Sequence, residues 1–186
     1  SCTGSGCRPG AVILTHNEER HLPDCLKSVA WADDVLVVDS LSTDRTVEVA
    51  RAHGARVELR PFVNYADQRN AALEMARGDW VLFVDADERV TEKLRDEVQE
   101  IICNVQLPTS NLQSPISGYW IPRKNYIFGA WIQHTGWYPD RQMRLLRRGR
   151  ARYDPARAVH ELVVLDGEAG LALSEACPER SRRVEG

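Results

Sequence analysis

The stretch WVLFVDADE, Trp80–Glu88, decides the predicted fold. Its first part, WVLFV, is an unbroken apolar run with the length of a β-strand. A continuously apolar strand is buried on both faces, which is typical of a parallel sheet covered by helices. The run ends directly in Asp85-Ala86-Asp87-Glu88, so three carboxylates follow one strand end. In open parallel sheets, this is the end at which ligands bind.

The chain before this strand repeats the same pattern. Apolar runs at Ala11–Thr15 and Val35–Ser40, with a weaker one at Val57–Leu59, predict three further strands. Helical periodicity and capping signals between and after the strands predict four helices, at Asn17–Val29, Thr43–His53, Tyr65–Arg77 and from Thr91 onward. This alternation predicts an α/β fold with a doubly wound, mostly parallel sheet flanked by helices.

Beyond Asn104 the periodicity changes. A polar loop with Pro108 and Pro115 comes first, and turns rather than long helices then join the predicted strands Gly118–Phe128, Gln142–Arg148 and Val159–Leu165. We therefore predict a single domain in four parts. A flexible leader spans residues 1–10, an α/β half spans 11–103, a mixed, mainly β half spans 104–173, and a disordered tail spans 174–186.

Composition excludes several classes of protein. A chain of 186 residues can bury a sizeable core, and its net charge of −3 argues against a general nucleic-acid binder. No apolar run reaches the ~18–20 residues of a membrane span. No CxxC pair occurs, so zinc-ribbon and redox motifs are absent among the cysteines Cys2, Cys7, Cys25, Cys103 and Cys177. These scattered cysteines, together with the lack of an apolar leader, favour a reducing cytoplasm.

Acidic residues follow three of the predicted strands. Glu18 lies after the first strand, Asp39 ends the second, and Asp85 and Asp87 end the fourth. At one sheet edge, these carboxylates would repel a bare diphosphate unless a divalent cation lay between them. Mg²⁺ and Mn²⁺ prefer carboxylate oxygens and bridge protein to phosphates. We predict Asp87 as the metal ligand and Asp85 facing a ribose or the metal's waters; a solvated strand–helix turn is the alternative.

The first two strand ends offer groups for a nucleoside. The Asp39 carboxylate can accept hydrogen bonds from a uracil-like N3–H or a ribose hydroxyl, and Thr15 can offer its hydroxyl to a base. Asn17 and Glu18 complete this predicted nucleotide-sugar site, although Glu18 fits the first turn of a helix equally well. No P-loop is present, so the phosphates would have no glycine-rich cradle.

These segments resemble glycosyltransferase family 2, the inverting enzymes with the GT-A fold. The resemblance rests on AVILTHNEE, VLVVDSLSTDRT, ADQRNAALEMARGDW and WVLFVDADE, and it extends over about Ala11 to Leu173. The later segment RKNYIFGAWIQHTGWYPDRQMRLLRR, followed by AVHE, is similar to the branch with lipopolysaccharide-core β-glucosyltransferases. The resemblance implies a nucleotide-sugar donor, favouring UDP, with Mg²⁺ or Mn²⁺, a glycan or lipid-linked acceptor of the cell envelope, and peripheral contact with the cytoplasmic membrane face. It also implies that Arg69 lies near the base or phosphates; a solvated helix cation is the alternative.

The catalytic base is predicted in the second half. Inversion needs one carboxylate to take the acceptor proton, and the Glu-Asp pair that many family members carry there is absent. Asp140 is the first candidate and Glu161 the second, while His160 is a further metal ligand, a diphosphate contact or a structural histidine. A dense arginine cluster could clamp a diphosphate or an anionic acceptor, or form a solvated strand face. Its members are Arg141, Arg144, Arg147, Arg148, Arg150, Arg152 and Arg157.

The sequence thus predicts a metal-dependent inverting glycosyltransferase, with two alternatives. The first is a nucleotide-binding fragment without transferase activity, because the family pattern expected after AVHE gives way to SEACPERSRRVEG. The second is a sugar nucleotidyltransferase, which usually needs a glycine-rich phosphate loop and a lysine near the first strand. Neither feature is found in this chain.

Overall fold

The computed structural model describes residues 8–104, 116–123, 126–127, 130–131, 140–155, 163–172 and 176–178. The predictions for Arg157, His160 and Glu161 lie outside the described residues. Within the described ranges, no helix has both the length and the apolar composition needed to cross a membrane.

The first half alternates strands and helices as predicted. The elements are β1 (Pro9–Thr15), α1 (Leu22–Val29), β2 (Asp34–Asp39), α2 (Thr46–Ala52), β3 (Arg56–Leu59), α3 (Tyr65–Met75), β4 (Trp80–Asp85), β5 (Glu88–Val90) and α4 (Glu92–Asn104). Strands β3, β2, β1 and β4 pair in this order, and every pairing among them is parallel. Their carboxyl ends therefore meet at one edge of the sheet.

The second half adds mostly strands. They are β6 (Ile116–Arg123), β7 (Tyr126–Ile127), β8 (Ala130–Trp131), β9 (Asp140–Arg147), β10 (Ala151–Tyr153), β11 (Val163–Leu165), β12 (Glu168–Leu171) and β13 (Ala176–Pro178). Strand β9 lies antiparallel between β4 and β6, and it joins the two halves in one sheet. The described strands of this sheet run in the order β3-β2-β1-β4-β9-β6-β13-β5, with β12 beside β6. The predicted α/β fold with a mixed, mainly β second half is confirmed.

The core lies on both faces of the sheet. Neighbouring residues of β1 face opposite sides, so Ile13 packs into one hydrophobic cluster and Val12 into the other. The Ile13 cluster includes buried residues of α1, α2 and α4, whereas the Val12 cluster includes residues of α3 and Tyr153 of β10. Helices thus cover both faces, which explains why the strand sequences are continuously apolar.

Two helices begin later than predicted. The segment after β1 continues as a loop to Leu22, because Asn17 has a φ of 58° and is held to the loop after β2. Helix α2 begins at Thr46 instead of Thr43, since the Asp44 carboxylate accepts a 2.9 Å hydrogen bond from the Thr46 backbone N–H. Asp44 also accepts a 3.2 Å hydrogen bond from the Glu19 backbone N–H, so both helix starts are tied to hydrogen bonds between loops that are distant in sequence.

Short strands and chain ends provide further corrections. Strand β5 was not predicted, since three residues are too few to show a period. Pro9 and Gly10 of the predicted leader belong to β1, where they pair with β4. Three residues of the predicted disordered tail, Ala176–Pro178, form β13, which pairs antiparallel with β5 and completes its hydrogen bonding. The tail prediction is therefore wrong for these three residues.

The described cysteines differ in state. Cys25 is fully buried on α1 as a free thiol, and burial raises its pKa to about 12. Cys25 is thus a small core residue. Cys103, near the end of α4, is disulfide-bonded.

Candidate functional site

A cavity of about 590 Å³ opens where the parallel strands end. Its wall is built from the ends of β1 and β4, the loops after β1, β2 and β4, the segment before α3 and the N-terminal part of α3. Five of the predicted site residues line it, namely Thr15, Glu18, Arg69, Asp85 and Asp87. These residues are far apart in sequence, and they meet at the carboxyl ends of the parallel strands, where ligands were expected to bind.

Asp39 lies beneath this cavity and does not line it. It is fully buried, and its Oδ2 atom accepts a 2.8 Å hydrogen bond from the Thr15 hydroxyl. Its Oδ1 atom accepts a 2.7 Å bond from the Ser42 backbone N–H, and the Ser42 hydroxyl donates to Oδ2. Asp39 thus joins the ends of β1 and β2 and fixes the Thr15 side chain at the cavity.

Asn17 also supports the site from outside the cavity wall. Its side-chain oxygen accepts a 2.8 Å hydrogen bond from the Thr43 backbone N–H. Its backbone N–H donates to the Ser42 hydroxyl at 2.8 Å. These bonds lock the loop after β1 to the loop after β2, which fixes the position of the neighbouring Glu18.

A buried ion-pair cluster lies behind the end of β4. Arg144 of β9 donates from Nη2 to Asp85 Oδ2 and from Nη1 to Glu88 Oε2, both at 2.7 Å. Arg144 and Glu88 are buried, whereas the Asp85 side chain is 36% exposed and reaches the cavity. Burial opposes the charge of Arg144, yet the carboxylates of Asp85 and Glu88 outweigh it and raise the pKa of Arg144 above its ordinary value.

Arg69 of α3 approaches the same carboxylate from the other side. Its Nη2 atom lies 3.8 Å from Asp85 Oδ1. Its guanidinium lies over the rings of Phe83 and Tyr153, at 5.1 and 5.4 Å from their centroids. The residue is buried at the cavity wall, so it is not the solvated helix cation considered as an alternative. It supplies a fixed positive charge to the site.

Asp87 differs from Asp85 in being exposed. It lines the cavity, and the described part of the chain gives its carboxylate no hydrogen bond or ion pair. The same ranges hold no group of three side chains able to enclose a metal ion. An exposed carboxylate beside a cavity fits Mg²⁺ or Mn²⁺, which complete their coordination with water and substrate phosphates.

The structure places the predicted catalytic residues only in part. Asp140 is the first residue of β9, opposite Arg123 of β6. Because β9 runs antiparallel to β4, its first residue lies toward the carboxyl end of β4, where the cavity opens. His160 and Glu161 fall outside the described ranges.

The described arginines of the cluster lie in different places. Arg144 is buried in the ion-pair cluster behind β4. Arg148, Arg150 and Arg152 line a separate cavity of about 870 Å³ beside α3. None of these residues lines the cavity at the strand ends. The interpretation that the cluster clamps a diphosphate or an anionic acceptor stays a prediction.

Several cavity residues escaped the sequence analysis. Gln68 is 1% exposed and donates from Nε2 to the Ser40 hydroxyl at 3.2 Å. Phe62 and Tyr65 lie at the same cavity with about half of each side chain exposed and their ring centroids 5.0 Å apart. Tyr65 and Gln68 lie one helical turn apart in the first turn of α3, and this spacing could have identified them.

The surroundings of Glu18 disfavour the ionised form of its carboxyl group. Partial burial raises the pKa of its carboxyl, and the negative charges of Asp87 and Asp44 raise it further, against the opposing effect of His21. A raised folded-state pKa means that ionised Glu18 costs stability, and this cost develops as pH rises through that pKa.

Glu18→Gln should therefore raise the melting temperature at about pH 7–8, by about 1–3 °C for a chain of this size. The gain should disappear below the ordinary glutamate pKa of 4.5. Thermal denaturation between pH 4 and pH 8 measures both effects, and Glu100→Gln, which replaces an exposed carboxylate of α4, is the control. An equal gain in the two variants, or a gain that persists at low pH, would contradict this account of Glu18.

The family model "Glycosyl transferase family 2" matches residues 11–153. The chain is 32% identical over 167 residues to the lipopolysaccharide core biosynthesis glycosyltransferase LpsC of Rhizobium meliloti (strain 1021), a match that covers 87% of this chain and 59% of that protein. It is also 40% identical over 95 residues to an uncharacterized glycosyltransferase of Rickettsia bellii (strain RML369-C), covering 50% of this chain and 32% of the relative. The chain thus spans less than two thirds of each of these relatives.

One solved structure shares the fold. Glucosyl-3-phosphoglycerate synthase from Mycobacterium tuberculosis, crystallised with Mn²⁺, UDP and glucosyl-3-phosphoglycerate, aligns with a TM-score of 0.50 at 22% identity. The alignment covers 63% of this chain and 44% of that one. At this level of identity the likeness shows a common architecture.

Proposed function

The chain belongs to glycosyl transferase family 2, and on this premise we propose that it transfers a sugar from a nucleotide sugar to an acceptor hydroxyl with inversion at the anomeric carbon. One observation carries the proposal. The cavity at the strand ends presents the exposed carboxylate of Asp87 beside Asp85, which two buried arginines approach. A diphosphate with its divalent cation matches this charge pattern.

We assign the nucleoside of the donor to the part of the cavity between β1, β2 and α3. Thr15, Ser40 and Gln68 offer polar atoms at the edge of a base, and Phe62 and Tyr65 offer aromatic faces against which a base can stack. Asp39 and Asn17 act here by fixing the loops that carry these groups. The base we favour is uracil, which is consistent with the UDP bound by the structural relative.

The sugar-phosphate part of the donor lies, in this proposal, along Asp85, Asp87, Arg69 and Glu18. Asp85 faces the ribose and Asp87 holds Mg²⁺ or Mn²⁺, with His160 as a candidate second ligand. When bound, the cation neutralises the charge that develops on the departing nucleoside diphosphate. The fixed charge of Arg69 acts in the same direction, because its guanidinium lies at the cavity wall and cannot turn away.

Asp140 is our first candidate for the catalytic base, and Glu161 is the second. The base takes the proton of the acceptor hydroxyl as its oxygen attacks the anomeric carbon from the face opposite the leaving diphosphate. A single carboxylate suffices, because an inverting transfer forms no covalent sugar–enzyme intermediate. The position of Asp140 at the start of β9, toward the cavity edge, supports the first choice.

We propose a glycan or lipid-linked acceptor of the cell envelope, since LpsC is named for lipopolysaccharide core biosynthesis. Such an acceptor would place the protein in the cytoplasm, in peripheral contact with the membrane. One alternative remains, a fragment that binds nucleotide without transferring sugar. The chain spans 59% of the length of LpsC.

Calorimetric titration with UDP, GDP and ADP, each with and without Mn²⁺, tests donor binding. We expect UDP to bind at least about tenfold more tightly with Mn²⁺ than without it, because the cation bridges Asp87 and the diphosphate. Hydrolysis of UDP-sugars under the same conditions separates an enzyme from a binding fragment. Binding without hydrolysis would favour the fragment, and no binding of any nucleotide would overturn the proposal.

A further inference from the structure

Arg144 lies behind the cavity wall and does not line the cavity. It lies in β9, the antiparallel strand between β4 and β6, and its side chain is 3% exposed. It extends behind the end of β4 to the turn formed by Asp85, Ala86, Asp87 and Glu88. We propose that Arg144 is a positioning residue, which orients Asp85 and the turn carrying Asp87 toward the nucleotide sugar and its metal. This inference rests on the proposed function.

The hydrogen bonds of Arg144 fix its guanidinium in one orientation. Gln142 Oε1 accepts from Nε at 3.0 Å and from Nη2 at 2.7 Å, and the Phe83 carbonyl oxygen lies 3.4 Å from Nη1. With the bonds to Asp85 and Glu88 included, each of the three guanidinium nitrogens of Arg144 donates to at least one acceptor. A planar guanidinium held in this way determines where its carboxylate partners lie, which the single ammonium of lysine cannot do.

Both ends of the turn are tied to the same guanidinium. Asp85 binds Nη2, Glu88 binds Nη1, and Glu88 Oε2 also accepts a 3.3 Å hydrogen bond from the Asp85 backbone N–H. Ala86 and Asp87 lie between these two anchors. The position of the Asp87 carboxylate therefore depends on Arg144, although the bonds that the structure describes for Arg144 go to other residues.

The charges of the cluster show why a buried cation is needed. Asp85 and Glu88 would otherwise place two carboxylates at the end of one strand, next to the cavity that receives a diphosphate. Arg144 compensates them from behind and Arg69 from the side of α3. The exposed carboxylate of Asp87 lies outside these pairs and is left to bind the cation.

The experiment must separate positioning from stability. Removal of Arg144 alone takes the ion pair with Arg144 from the buried carboxylate of Glu88 and one of the two neighbouring arginines from Asp85, which destabilises the fold. The double variant Arg144→Met/Glu88→Gln removes one charge of each sign, so its melting temperature should recover toward that of the wild type. Arg144→Lys keeps the positive charge and loses the planar guanidinium group that binds both carboxylates. Arg148→Met, which removes an exposed arginine just after β9, is the matched control.

Binding of UDP with Mn²⁺, measured by calorimetry beside the melting temperature, gives the decisive comparison. We expect affinities about 10- to 100-fold weaker in the double variant and in Arg144→Lys, as for other residues that orient a metal ligand, and unchanged affinity in Arg148→Met. Wild-type affinity in the double variant or in Arg144→Lys would overturn the inference, because Arg144 would then only stabilise the fold. If the wild-type protein binds no UDP with Mn²⁺, the proposed function fails and this inference fails with it.

Discussion

Asp87→Ala should lower sugar transfer or donor hydrolysis by at least about a thousandfold while the protein stays folded. The carboxylate is the predicted protein ligand of the cation, and a bound cation contributes several kcal/mol to stabilising a leaving diphosphate. About 4 kcal/mol corresponds to a thousandfold in rate. The side chain is exposed, with no hydrogen bond or ion pair inside the described ranges, so its removal should leave the melting temperature nearly unchanged.

The rate of UDP-sugar hydrolysis across a Mn²⁺ titration measures this effect. Asp96→Ala, which replaces an exposed carboxylate of α4 paired only locally with Arg95, is the control and should keep wild-type activity. Full metal-dependent activity in Asp87→Ala would contradict the assignment of Asp87 and would leave the cation to other ligands.

Asp39→Ala should destabilise the protein by about 2–4 kcal/mol. The carboxylate accepts three hydrogen bonds in a fully buried position, from the Thr15 hydroxyl and from the backbone N–H and hydroxyl of Ser42. Its loss leaves buried donors without an acceptor, and each such donor costs about 1–3 kcal/mol. Urea denaturation measures the change as a lower midpoint at constant slope.

Asp33→Ala provides the comparison for Asp39. Asp33 directly precedes β2, at the opposite end of the same strand, and is exposed. Its replacement should change stability by less than about 0.5 kcal/mol. If Asp39→Ala were as stable as wild type and lost only nucleotide binding, Asp39 would contact the donor directly, as the sequence predicted.

The parallel strands could be predicted because burial on two faces leaves a continuous apolar run. Trp80–Asp85 and Asp34–Asp39 are strands of this kind, and their order placed the carboxylates at one edge. The starts of α1 and α2 could not be predicted in the same way. They depend on bonds between Asn17, Ser42 and Thr43, which are brought together only when the two loops meet.

The role of a site residue could be predicted where it depends on the position of the residue at the end of its strand. It could not be predicted where it depends on a partner from a distant segment of the chain. Asp85 and Asp87 follow the same strand with the same chemistry, yet one is paired with Arg144 and the other is exposed. This difference arises because β9 inserts antiparallel beside β4, a pairing between distant segments that no local pattern encodes. For the same reason Arg144 could not be distinguished by sequence from the exposed arginines after β9.

Strand β5 follows the Asp85–Asp87 turn directly, and its antiparallel neighbour is β13, almost half the chain further on. During synthesis the ribosome therefore releases the acidic turn long before it releases the strand that pairs with β5. Non-local pairing of this kind forms late, since a long loop must close first. The α/β half can accordingly assemble early, whereas the backbone beside Asp87 gains its last hydrogen-bonded neighbour only after residue 178 has been made.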